Sequence, residues 1–85
     1  MVPNIVFQPI RIATNNADDQ GRLVLVDGHL AGVLTLLQEE IHSVELRGRW
    51  FLEAAFGAIA EKADELVFAT LDDAFSWFQE QWRRS

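Results

Sequence analysis

A chain of 85 residues that is 49% hydrophobic, with six Phe and three Trp, has apolar material for one small core. At this size a domain buries only ~60–65% of the surface its unfolded form exposes. The absence of cysteine excludes disulfides, thiolate-held zinc or iron–sulfur clusters and thiol catalysis, and thirteen acidic against seven basic residues give a formal charge of −6.

That charge repels a phosphate backbone. The basic residues, Arg11, Arg22, Arg47, Arg49, Lys62, Arg83 and Arg84, are scattered, so no nucleic-acid partner is expected. No apolar run approaches the ~18–20 residues that span a bilayer. The opening MVPNIVFQPIRIAT lacks the basic cluster and long apolar stretch of a signal peptide. The expected location is the cytoplasm, without membrane association. No repeat or linker divides the chain, so residues 9–85 read as a single domain behind an N-terminal arm, 1–8.

In chain order, IRIA (10–13) alternates apolar and polar residues and suits a short strand. Pro9 holds it at a sheet edge because proline cannot donate a ladder hydrogen bond. TNNADDQG (14–21) gathers turn-forming residues and is the clearest loop. LVLVDGHLAGVLTLL (23–37) then reads as a β-hairpin turning at Asp27-Gly28, a pair suited to a type I′ turn.

In straight register Val26 faces His29, Leu25 faces Leu30, and Leu23 faces Gly32. One face then carries Leu23, Leu25, Leu30, Leu34 and Leu36, the expected core. The other carries Arg22, Val24, Val26, His29, Ala31, Val33 and Thr35.

QEEIHS (38–43) is a polar connection. Residues 48–66 carry two incompatible patterns. As a helix, Leu52, Ala55, Phe56, Ile59, Ala63 and Leu66 form one stripe. As a strand over 44–56, Trp50, Leu52, Ala54 and Phe56 share one face, with Arg49, Phe51 and Glu53 on the other. The strand is preferred, followed by a loop or short helix over 58–65. Gly57 would interrupt the helix, no capping residue stands just before Trp50, and an isolated hairpin needs a third strand.

VFATLDDAFSWFQEQWRR (67–84) ends the chain in a helix. Thr70 is its N-cap, Asp72 and Asp73 sit in the first turn, and Arg83 and Arg84 sit in the last. Leu71, Ala74, Phe75, Phe78 and Trp82 fall on one face. Val67 and Phe68 before the cap suit a short strand or a staple onto the helix.

Candidate chemistry is sparse. His29 follows the turn, and His42 lies near Glu39 and Glu40, too few ligands on one loop for a structural metal site. The adjacent carboxylates Asp18-Asp19, Glu39-Glu40 and Asp64-Glu65 fall in expected loops, and Asp72-Asp73 is explained by the helix start. The five glycines form no phosphate loop, and Ser43, Ser76 and Ser85 occupy no nucleophile setting. No catalytic residue, cofactor or metal is expected, and the protein is read as non-enzymatic.

The expected fold is α+β: an antiparallel meander of three to four strands with the C-terminal helix packed on its leucine face. Phe51 and Trp77 lie off the core pattern, so each is either covered by a loop or part of an interface. Together with Val24, Val26, Ala31 and Val33 they make the candidate interface of a protein–protein interaction module. The leading expectation is self-association as a two-fold homodimer through a sheet face or edge.

The alternative is a regulatory subunit docking on a larger heterologous partner. TLDDAFSWF, nine of the 85 residues, is similar to the helix start of antitoxin-type domains of the HicB kind. The Gly/Pro-rich strand segment of that family is missing, so its function is not carried over. A second alternative is a small-molecule-binding domain that uses Trp77 or Phe51 beside Arg47 and Arg49.

Overall fold

In the computed structural model, which describes residues 3–13, 18–38, 44–62 and 65–84, Asp27 and Gly28 adopt positive φ angles of 51° and 83°. A type I′ turn demands that combination of its two central residues, and it sets β2 (Gln20–Val26) against β3 (His29–Leu36). Five strands pair in chain order into one antiparallel sheet, β1-β2-β3-β4-β5, completed by β1 (Ile5–Arg11), β4 (Trp50–Ala55) and β5 (Val67–Phe68). A 3₁₀ segment (Gly57–Lys62) follows β4, and α1 (Leu71–Arg84) crosses one face of the sheet. The α+β meander is therefore observed, with five strands where three to four are expected.

Several boundaries differ from the sequence reading; β1 ends at Arg11 rather than residue 13, and β2 begins at Gln20, inside the segment 14–21 read as a loop. Strand β1 begins at Ile5, inside the segment assigned to an arm, and Asn4 extends its pairing. Asp27 N donates to Asn4 O at 2.8 Å, and Asn4 N donates to Asp27 Oδ1 at 2.9 Å. The turn aspartate thus anchors the start of the chain as well as the hairpin. Strand β4 is shorter than 44–56, because residues 44–48 form turns and pairing begins at Trp50.

The larger difference is register. Val26 pairs with His29 and Leu25 with Leu30 as expected, but Val24 pairs with Gly32 and Leu23 with Val33. Ala31 is the extra residue of a β-bulge. A one-residue slip moves all later side chains of a strand to the other face. Leu34 and Leu36 consequently join Val24 and Val26, while Leu23, Leu25 and Leu30 share the opposite face with Val33. A second bulge, at Glu53, lets Leu34 pair with Leu52 after Val33 has paired with Ala54.

The helix covers the valine side. Val24, Val26, Ala31, Leu34, Leu52, Ala74 and Phe78 are buried together with Ile59 of the 3₁₀ segment. Gly32 permits the closest approach: a Cβ there would lie 3.0 Å from Phe78 Cζ and 3.1 Å from Ala54 O. The Phe78 ring therefore packs directly against sheet backbone.

Helix α1 starts as expected, with Asp73 N donating to Thr70 Oγ1 at 3.1 Å. Its buried stripe differs from the expected one: Ala74 and Phe78 are fully buried and Trp77 is half-buried, while Phe75 is 37% exposed. Phe75 lies on one flank, edge-on to Phe7 of β1 at 6.2 Å. Trp77 lies on the other, 5.8 Å from Phe68 of β5 and 5.0 Å from Phe78. One helix thus touches both edge strands. Replacing Gly32 with Ala crowds the Phe78 seat. It should cost ~1–3 kcal/mol of a total that is roughly 4–13 kcal/mol for this length. Urea denaturation measures the difference, and unchanged stability would contradict the seat.

Candidate functional site: the open sheet face

The side of the sheet away from α1 is built from the residues opposite the buried row. Cross-strand partners trace it: Val6 with Leu25, Gln8 with Leu23, Leu25 with Leu30, Leu23 with Val33, Val33 with Ala54, Thr35 with Phe51, and Phe51 with Val67. Leu30 is 43% exposed and Val6 46%; Leu23, Leu25, Val33, Phe51 and Val67 are half-buried. None of these residues belongs to the core cluster or to the apolar groups packed against it. Among the described residues, no helix or further strand lies across them.

Val6, Leu23, Leu25, Leu30, Ala54 and Val67 of the open face are not among the interface candidates read from the sequence. Of the foreseen ones, Val33 and Phe51 are on the open face. Val24, Val26 and Ala31 are at most 1% exposed beneath α1 and cannot meet a partner in this fold. That part of the expected interface is corrected: α1 packs on the side of Val24 and Val26, and the Ala31 bulge adds Leu34 to that side. Trp77 sits on the helix side against Phe68 and Phe78, across the sheet from Phe51. The two aromatics therefore lie on opposite sides of the sheet, and a small-molecule site beside Arg47 and Arg49 draws on at most one of them.

The open face is almost free of charge. Thr35 is buried within it and donates its hydroxyl to Glu53 Oε2 at 3.3 Å, which ties down the carboxylate of the bulge residue. Toward one end, Leu37, Leu46, Phe51, Val67 and Glu65 line a concavity of about 340 Å³. Its walls are apolar apart from Glu65, so it fits an aliphatic or aromatic side chain and offers no acid–base pair.

The sheet edge is a poorer surface for pairing. Ile12 N donates to Asp19 O and Asp27 N to Asn4 O, so the even-numbered residues of β1 bond inward to β2. The odd-numbered residues face outward, Pro9 among them, and proline has no N–H to offer an added strand.

Other sequence candidates do not gather. His29 is exposed at the turn, and Asp72 and Asp73 are exposed in the first helical turn. Asp18 is buried and accepts from Gln38 N, joining the start of β2 to the end of β3. Glu39, Glu40, His42, Ser43, Asp64 and Ser85 lie outside the described residues. Among the described residues, no three His, Asp or Glu side chains are placed to hold a metal ion. Among the described residues, no helix is long and apolar enough to cross a membrane. No protein-family model matches the chain, and no curated protein or solved structure is significantly similar to it.

Charge substitutions separate the two faces. Val24→Lys buries an ammonium among apolar groups and should unfold the chain. Leu30→Lys should leave the circular dichroism spectrum and melting cooperativity intact. The opposite pattern would mean that the faces are exchanged.

Proposed function

We propose that the protein is a small, non-enzymatic cytoplasmic interaction module whose open sheet face packs on the same face of a second copy, forming a two-fold dimer. The observation that carries this reading is the nearly uncharged face from Val6 to Val67, apolar but for Gln8 and Thr35 and crossed by no described helix or further strand, on a chain with net charge −6. An acidic protein that leaves one face without charge has one surface on which a second copy meets little repulsion.

The face is also about the size required. At ~4.8 Å between strands and ~3.3 Å per residue, β1 to β4, each six to eight residues long, cover roughly 19 by 23 Å. Two such faces with their rims approach the ~1,000 Å² of total burial that marks the lower end of specific interfaces. Stacked sheets separate by ~10 Å, so the two helices would lie on the outside. Isologous closure favours a second copy, since one self-complementary patch serves both partners. Pro9 on the outward edge of β1 favours face over edge.

Sedimentation equilibrium at high micromolar concentration should give twice the 9.7 kDa chain mass. Leu30→Glu combined with Val33→Glu should return a folded monomer. A wild-type monomer throughout would overturn self-association; a dimer unaffected by the double variant would overturn the assignment of this face.

A further inference from the structure

A second surface lies on the helix-bearing side, at the corner where β1 ends and β2 begins. Pro9 pairs with Arg22 and Arg11 with Gln20, so Arg11 and Arg22 are diagonal neighbours on one face, within reach of a common ligand. Together with Pro9, Ile10 and Gln20 they line a concavity of about 470 Å³. That volume falls within the ~300–1,000 Å³ of small-molecule sites.

Arg22 is held in place. Its Cζ lies 4.9 Å from the centre of the Trp50 ring, and Nη1 donates to Gly21 O at 2.9 Å. Stacking fixes the plane of the guanidinium, and the carbonyl fixes its rotation. Arg11 is positioned differently, with Nη1 at 3.2 Å from both oxygens of Asp19. The pair is exposed, with side-chain accessibilities of 74% and 43%, and such pairs are weak enough for a competing anion to displace. The corner thus joins a preset guanidinium to a second that an anion can recruit.

We propose that this corner binds the phosphate group of a small molecule, with Arg22 as the fixed donor and Arg11 as the second cation. Two guanidinium groups match a dianion better than a single carboxylate. Asp19 competes with the ligand for Arg11. Arg11 and Arg22 are on the other side of the sheet from the self-association face.

The test uses ¹H–¹⁵N spectra of the arginine Nε and tryptophan Nε1 groups during titration with inorganic phosphate, against chloride at matched ionic strength. Saturable shifts are expected at Arg22 and Trp50. Affinity should fall about tenfold in Arg22→Gln and severalfold in Arg11→Gln. It should rise severalfold in Asp19→Asn, which removes the competing carboxylate. Equal shifts with chloride, shifts that do not saturate, or an Arg22→Gln variant that titrates like the parent would overturn the site. If Arg22→Gln does not fold, the two exposed variants decide. Arg11→Gln and Asp19→Asn must change affinity in opposite directions, and a common or absent response overturns the proposal.

Discussion

The seat of Phe78 against Gly32 is the contact on which the rest of the structure depends. A fully buried aromatic can press on sheet backbone only where the strand carries no side chain, and Gly32 supplies that gap in the middle of β3. The bulge at Ala31 turns Gly32 toward the helix and brings Leu34 into line with Val24. Both features act on the same few residues. Together they decide which side of the sheet becomes core and which remains open.

With that side fixed, the composition of each face follows. The helix side takes compact groups, Val24, Val26 and Ala31, together with the larger Leu34, Leu52 and Trp50. The open side keeps longer aliphatic chains, Leu23, Leu25 and Leu30, which half-bury one another and reduce the exposed area without a covering element. Arg22 belongs to the core row by position but lies at its end. It extends over Trp50, so its stem adds apolar cover while its head remains at the surface.

The elements were legible in the sequence because local chemistry sets them. Asp27-Gly28 dictates the turn, Thr70 caps the helix, Pro9 marks the edge, and Gly48 and Gly57 bracket the segment that contains β4. The register was not legible from alternation alone, since both faces of the hairpin are apolar and neither opposes a one-residue slip. Ala31-Gly32 was the available signal: a small residue followed by glycine inside a strand points to a bulge or a close approach. The same slip placed Val33 with Leu23, Leu25 and Leu30, and Leu34 with Val24 and Val26, and α1 covers the second group. The Arg11–Arg22 corner escaped sequence reasoning because its members are eleven residues apart and meet only through β1–β2 pairing.

Sheet order and chain order coincide, so each strand finds its partner by closing a short loop, and the meander can assemble by successive local steps. The contact between Phe7 and Phe75 is of another kind, joining groups 68 positions apart. It ties the first strand to the last helix and closes the linear series of pairings into a unit. Shortening the chain at either end therefore removes the same clasp, which makes its two extremities cooperative although they share no hydrogen-bonded ladder.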